Sequence, residues 1–344
     1  MTKIFIHAVI TFMLSESAIQ PTLFQKRELR KMPSRNYSLV SLFSGCGGMD
    51  LGFRGGFSFF GRKYVKHPFK IVWANELNAA ACRTYRRNID ENIHCGDIRD
   101  FMNILPTSAD VLIGGFPCQD LSINGKGLGI KGKRSSLYGA MVEAIRIVKP
   151  RVFVAENVKG LLLKTRTDSF LRIMEDFNSL GYDVSHSLYH AADYGVPQSR
   201  ERVFIVGTLK NADKFLPPEP ELSKENWITA SQAIGDLESE EMDESVNHVW
   251  SAANVSGEQG NRRLVANRPG FTIRAECHGN IQFHYSLPRR ISMREAARIQ
   301  SFPDDFIFDS KLRETERQVG NAVPPVLAWH IAKSVAECLA NDVL

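Results

Sequence analysis

Several short stretches of this sequence set reactive side chains beside glycines or prolines. The first is Ser44-Gly45-Cys46-Gly47-Gly48, directly after the apolar run Ser38-Leu39-Val40-Ser41-Leu42-Phe43. Glycines after a strand let the main chain approach a nucleotide-like ligand, although a tight turn alone accounts for them equally. The run Ile71-Val72-Trp73-Ala74 leads into Asn75-Glu76, and Gly96-Asp97-Ile98 follows. A carboxylate at the end of a strand suits a ribose diol; a solvated acid at a helix start explains it as well. Together, in this order, the three stretches favour an adenosine-containing cofactor.

A second group follows. Gly114-Gly115-Phe116-Pro117-Cys118-Gln119-Asp120-Leu121-Ser122 ends another apolar run. A cysteine there could act as a nucleophile. Taken alone, such a cysteine is more often an inert structural thiol. Val152-Phe153-Val154-Ala155 ends in Glu156-Asn157, and an acid closing an apolar run is buried only if paired or functional. In Gln198-Ser199-Arg200-Glu201-Arg202, period-two spacing puts Gln198, Arg200 and Arg202 on one face of an extended chain. Such a row suits a base edge or a phosphate; structural ion pairs are the competing explanation.

These residues need a scaffold. Strand-like runs at Ser38–Phe43, Ile71–Ala74, Val111–Ile113, Val152–Ala155 and Val203–Val206 alternate with helix-like stretches at Ala79–Asn88, Leu137–Val148 and Phe170–Leu180. That alternation predicts an α/β fold with a doubly wound, mostly parallel sheet. Ligands of such sheets bind beyond the carboxyl ends of the strands, which is where the reactive residues fall. After Thr208 the pattern breaks at Pro217, Pro218 and Pro220, and acids cluster at Glu238, Glu240, Glu241, Asp243 and Glu244. Helical patterning returns at Ser292–Gln300 and Pro325–Ala340. A second, smaller domain is expected in between.

The chain has 344 residues and a net charge of +5, compatible with a nucleic-acid partner without establishing one. Its six cysteines form no C-x-x-C pair, which argues against a zinc ribbon and a disulfide framework and for a reducing, cytoplasmic setting. Cys277-His278 lacks further ligands at suitable spacing, so no metal is expected. Residues 1–18 imitate a signal peptide, but His7 and Thr11 interrupt the apolar run and no clean cleavage site follows. No stretch is long and apolar enough to span a membrane.

Taken in order, Leu42-Phe43-Ser44-Gly45-Cys46-Gly47-Gly48, Pro117-Cys118-Gln119, Glu156-Asn157-Val158, Gln198-x-Arg200-x-Arg202, Arg294-Glu295-Ala296-Ala297-Arg298-Ile299-Gln300-Ser301-Phe302-Pro303 and Gly320-Asn321-Ala322-Val323-Pro324 resemble the cytosine-5 DNA methyltransferases of bacterial restriction–modification systems. The resemblance spans about Leu39 to Ala332. It implies a Rossmann-like S-adenosylmethionine-dependent catalytic domain over 36–208, a target-recognition domain over 209–286, a return segment over 287–344 and an extension outside the fold over 1–35. It implies that Cys118 adds to cytosine C6, that Glu156 engages N3 and the exocyclic amine, that Arg202 contacts the cytosine carbonyl and that Arg200 shares the pocket. Phe43, Gly45, Gly47, Gly48, Glu76, Asp97, Ile98, Pro117, Leu137, Asn321 and Val323 would line the S-adenosyl-L-methionine cleft. Double-stranded DNA would meet Gln119, Ser122, Lys126, Arg134, Gln198, Arg262, Arg263, Arg268, Thr272 and Arg274.

The basic, glycine-rich stretch after Cys118, with Lys126, Lys131, Lys133 and Arg134, fits a loop that closes over DNA. Here the sequence departs from the family, which usually has a glycine after the residue matching Arg134; this chain has Ser135. Thr272-Ile273 resembles the Thr-apolar pair of the recognition region. A monomer is expected, with a cognate restriction endonuclease as a functional rather than physical partner. The alternative is a tRNA cytosine-5 methyltransferase, whose Cys-Phe-Thr signature is absent. A silent DNA-binding relative would have lost Cys118 or Glu156. A nicotinamide oxidoreductase would need a G-x-G-x-x-G fingerprint that residues 45–50 do not match.

Overall fold

The computed structural model describes residues 35–116, 137–210, 212–251, 262–275 and 282–341. The expected extension over 1–35 therefore lies, but for its last residue, outside the described residues. The same holds for Pro117, Cys118, Gln119, Ser122, Lys126, Arg134 and Cys277.

Seven strands make the main sheet, in the order β5-β4-β1-β6-β7-β10-β8. These are β1 (Tyr37–Leu42), β4 (Phe69–Glu76), β5 (Ile93–Cys95), β6 (Val111–Gly115), β7 (Val152–Val158), β8 (Tyr182–His190) and β10 (Glu201–Leu209). Pairing is parallel from β5 through β7, and β10 runs antiparallel between β7 and β8. Because strand side chains alternate, each central strand feeds two cores. Tyr37, Leu39, Val111, Ile113, Val152, Val154, Phe204 and Val206 face one; Val40, Leu42, Leu112, Phe153, Ala155, Val203 and Ile205 face the other.

Helices α1 (Gly48–Arg54) and α8 (Pro325–Asn341) cover the first core. The second is covered by α3 (Leu137–Val148) and α4 (Thr167–Asn178). In α3, Tyr138, Met141, Ala144, Ile145 and Val148 recur at helical spacing and are all buried. Helix α2 (Ala79–Asn88) starts where the Asn78 side chain accepts the Ala81 N–H. It packs Ala81, Cys82 and Tyr85 inward.

Three elements depart from the sequence reading. Helix α4 begins earlier than Phe170 and stops before Leu180, because Gly181, at φ 92°, turns the chain. Strand β8 carries no apolar run: it is an edge strand, largely exposed, and needs none. A small hairpin, β2 (Phe57–Phe59) and β3 (Arg62–Tyr64), turns on Phe60 and Gly61, both left-handed.

The described part of 209–286 does not separate from the rest. Residues Arg35–Leu344 form one unit of contacts. The segment contributes Phe215, Ala230, Ala233, Ile234, Leu264 and Ile273 to the same core as α1 and α8. Its regular structure is sparse: a short helix, α5 (Ala230–Ile234), begun by a Thr229/Gln232 capping box, and β11 (Gly270–Phe271), which pairs with β9 (Gln198–Ser199). Helices α6 (Met293–Ile299) and α7 (Leu312–Asn321) follow. No helix among the described residues is long and apolar enough to cross a membrane.

Candidate active site

The parallel strands β4, β1, β6 and β7 are neighbours, so their carboxyl ends share one rim. At the end of β1 the chain must turn sharply into α1. Phe43, Gly45 and Gly47 all have positive φ, at 54°, 57° and 96°. A side chain at Gly48 would come within 2.4 Å of the Val323 carbonyl, so glycine lets α1 pack against the start of α8. At Gly45, by contrast, an added Cβ would meet nothing within 4 Å. The turn is tight below and open above, a shape suited to a ligand lying on its main chain.

Glu76 ends β4 and braces this turn. Its Oε2 accepts the Gly45 N–H at 2.9 Å and its Oε1 the Asn78 N–H at 2.7 Å. Burial pushes its carboxyl above the usual range while these N–H groups pull it back. Each oxygen keeps capacity for another donor, which suits a ribose diol. Gly96 follows β5, and Asp97 accepts from the Arg99 main chain at 3.0 Å and its Nε at 2.8 Å. The Arg99 guanidinium holds the Asp97 carboxyl below its ordinary value. Ile98 is buried, Leu137 opens α3, Asn321 ends α7 exposed, and Val323 is buried beneath Gly48. These residues fit an adenosine-bearing cofactor.

Cys46 sits within the turn, yet it is buried and its thiol faces the Gln318 carbonyl at 3.8 Å. Burial holds it well above the usual thiol range, as a poor nucleophile. Sequence reasoning missed Asp50, buried in α1. It accepts the Tyr85 O–H at 2.8 Å, and burial pushes its carboxyl up to about 6. The available signal was an acid inside Gly-Gly-Met-Asp-Leu-Gly-Phe, a helix otherwise too apolar to leave it in water.

Glu156 lies opposite Gly115 in the β6–β7 register. A Cβ at Gly115 would stand 3.0 Å from Glu156 Oε2, so glycine clears space around the carboxylate. Arg202 reaches it from β10, with Nε 2.8 Å from Oε1. Both side chains are close to nine-tenths buried. Burial raises the Glu156 carboxyl, opposed first by Arg202 and then by Arg200. Removing one member of such a pair strands a charge, at a cost of about 3–5 kcal/mol. Asn157, not singled out for a role from sequence, donates to the Phe116 carbonyl at 3.0 Å. It thereby fixes the residue from which Pro117 and Cys118 continue.

Two expected site residues are placed elsewhere. Gln198, Arg200 and Arg202 do alternate inward, but they do not share one strand, because β9 and β10 are separate. Arg200 is 1% exposed and donates to the carbonyls of Ile273 at 2.9 Å, Gly320 at 2.9 Å and Ala322 at 3.0 Å. Both terminal nitrogens of its guanidinium are thus taken up by main-chain carbonyls. Gln198 is fully buried: it donates to Ile299 and Gln300, and its carbonyl accepts the Ile273 N–H at 3.1 Å. Its amide is thus taken up by protein partners.

The remaining recognition candidates divide. Arg263 donates to the carbonyls of His284 and Leu287, and Thr272 to that of Ser199. Arg262 lies over the Phe271 ring. Arg262, Arg268 and Arg274 are exposed. A cleft of about 410 Å³ between the β2–β3 turn and α5, α6 contains none of the rim residues.

The sequence matches the C-5 cytosine-specific DNA methylase family over residues 37–265 and 250–337. It is 37% identical to a type II methyltransferase of Neisseria gonorrhoeae, M.NgoFVII, across 90% of this chain and 89% of that one. It is 33% identical to M.BbvI of Brevibacillus brevis, across 87% and 91%. Among solved structures, a methyltransferase of Entamoeba histolytica superposes with a TM-score of 0.63 at 16% identity, covering 89% of this chain and 99% of that one.

Proposed function

This chain belongs to the C-5 cytosine-specific DNA methylase family and is a DNA cytosine-5 methyltransferase of the type II restriction–modification class; from that premise we propose that it transfers a methyl group from S-adenosylmethionine to C5 of a cytosine within a specific double-stranded sequence. The observation that carries this reading is the buried Glu156–Arg202 pair, facing a glycine on the strand that leads to Cys118.

Cytosine C5 is a poor nucleophile. In the proposed mechanism the Cys118 thiolate adds at C6 and makes the ring enamine-like, so that C5 can attack. Glu156 holds N3 and the exocyclic amine, and its raised carboxyl favours the protonated form that can donate to N3. Arg202 meets the ring carbonyl. The Phe43–Gly48 turn and Glu76 hold the cofactor, which supplies an electrophilic methyl group when bound. Loss of the C5 proton and departure of Cys118 then restore the aromatic ring. The target carbon is stacked inside a duplex, so the base must leave the stack, at a cost of a few kcal/mol. Lys126 and Arg134 could offset that cost through the DNA backbone, while Arg262, Arg268 and Arg274 would meet the grooves.

Incubation with methyl-labelled S-adenosylmethionine and either duplex DNA or tRNA, followed by base mapping, tests the proposal. The expected product is 5-methylcytosine at one sequence context in the duplex. Label confined to tRNA would favour the RNA alternative, and label on any other atom would reject the mechanism.

A further inference from the structure

Cys82 and Cys95 meet behind the cofactor end of the rim. Cys82 lies in the first turns of α2, fully buried, with Sγ donating to the Glu76 carbonyl at 3.3 Å. Cys95 ends β5, in register with Glu76, and is exposed. Both cysteines therefore meet at the Glu76 main chain, one thiol 3.3 Å from its carbonyl oxygen and the other on its register partner. Among the described cysteines, Cys46 and Cys338 are buried against the carbonyls of Gln318 and Asp213, so Cys95 is the accessible one.

We propose that Cys82 and Cys95 form an oxidation site that closes to a disulfide by exchange with a low-molecular-weight disulfide, and that closure weakens cofactor binding at Glu76. The second half rests on reading Glu76 as the ribose partner. In the first step the Cys95 thiolate attacks one sulfur of the reagent. The reagent's S–S bond breaks, and one small thiol leaves carrying the proton that Cys95 gave up. Cys82 then displaces the second small thiol from the mixed disulfide and loses its own proton to it. The protein gives up two electrons and two protons, and the reagent is reduced to two thiols. Burial holds the Cys82 thiol above its usual range, so its attack is the slower step.

The coupling to Glu76 follows from shared supports. Glu76 O accepts from both Cys82 Sγ and Gly96 N, the latter at 2.9 Å. Closing the disulfide removes the Cys82 donor and draws the start of α2 toward the end of β5. Asn78, which caps that helix, also donates its N–H to the Glu76 carboxylate. Gly96 and Asp97 directly follow Cys95. Both groups expected to flank the adenosine therefore shift with the sulfurs.

The test uses the whole protein, treated with oxidised glutathione, and reads labelled S-adenosylmethionine binding by equilibrium dialysis instead of turnover, because Cys118 could itself react. Remaining thiols are alkylated and the peptides mapped by mass. The expected result is a linked Cys82–Cys95 peptide and an affinity about fivefold or more weaker, restored by dithiothreitol and unaffected by oxidant in Cys95→Ser. A Cys95 that carries only glutathione, or a linked protein with unchanged affinity, would overturn the proposal. If the reduced protein binds no cofactor, the Glu76 assignment falls, and the peptide map alone decides whether the dithiol site stands.

Discussion

The rim of the sheet and the segment from 212 to 291 reach order by opposite means. At the rim, regular strands deliver side chains directly: Glu76 from β4 and Glu156 from β7, each braced within its neighbourhood by Gly45, Asn78 or Arg202. The segment's described residues have almost no ladder of their own. The segment is held by side chains that cross its border: Arg200 and Gln198 reach in to the main chain of Ile273 and Arg294 to that of Val246, while Asn247 reaches out, donating to the Phe308 carbonyl and accepting its N–H. Reactive groups thus sit on a frame that needs no partner, whereas the proposed reading surface is only as firm as a few buried polar residues. Changes at the rim should therefore damage chemistry, and changes in these clips should damage stability and recognition together.

The largest effect is expected at the rim. Glu156→Gln should reduce turnover about 10²–10⁴-fold, measured as label transfer to duplex DNA; because it strands the Arg202 charge it should also lower stability by up to about 3–5 kcal/mol, so turnover is compared well below the variant's unfolding transition. Retained turnover would detach chemistry from this carboxylate. Next comes the Arg200 clip. Arg200→Met leaves the carbonyls of Ile273, Gly320 and Ala322 without this donor and should cost about 3–5 kcal/mol in denaturant unfolding. If Arg200→Met folded as firmly as the parent but lost only turnover, the two arginines would have to exchange roles.

The seam between the segment and the sheet should show in the response to acid. His67 and His330 are buried and neutral, each pushed down to about 4 by desolvation. Glu221 partly opposes this at His330, with Arg62 and Lys333 acting against it. His330 and Lys333 add to the depression at His67, while the Trp329 carbonyl opposes it. Unfolded, both imidazoles would take a proton near pH 6.5; folded, they resist until about 4. Their contribution is therefore complete above pH 6.5 and is lost as pH falls toward 4, by about 1.4 kcal/mol per unit for each. Asp50, raised to about 6 by burial, slopes the opposite way between about 6 and 4, so the test is the difference between proteins: as pH falls through that range, urea unfolding of His330→Gln should lose about 1.4 kcal/mol per unit less than the parent.

A smaller effect is expected at Gly320, where a Cβ would stand 2.4 Å from the Arg274 carbonyl carbon. Gly320→Ala should cost about 1–3 kcal/mol and weaken DNA binding more than cofactor binding. The smallest effect belongs to the acidic run. Glu240, Glu241 and Glu244 are exposed. Changing all three to Gln should leave stability within about 0.5 kcal/mol and leave DNA affinity equal or higher, because phosphates repel carboxylates. A marked loss of affinity would place that run against the DNA.

The same contrast explains what the sequence made legible. The central strands and α2, α3 and α8 were readable because burial on two faces, or on one helical face, leaves a periodic trace. Glu76 and Glu156 stood out as acids closing apolar runs. Edge strand β8 escaped notice because half its surface faces water. Arg200 and Gln198 misled for a related reason. Period-two spacing correctly turned both inward, but spacing does not distinguish a side chain facing a ligand from one facing a carbonyl fifty or more residues away along the chain. Nor does local sequence announce that Phe215, Ile234, Leu264 and Ile273 would join the main core.

The central claim is that Cys118 adds covalently to a cytosine held by Glu156 and Arg202. A duplex carrying the target context with 5-fluorocytosine at the methylated position tests it most directly. Fluorine leaves no C5 proton to remove, so the enzyme cannot depart after methyl transfer. With S-adenosylmethionine present, the account predicts a covalent protein–DNA complex whose mass-mapped attachment is Cys118, absent in Cys118→Ala. Attachment through another residue, or free enzyme alongside methylated fluorocytosine, would contradict it.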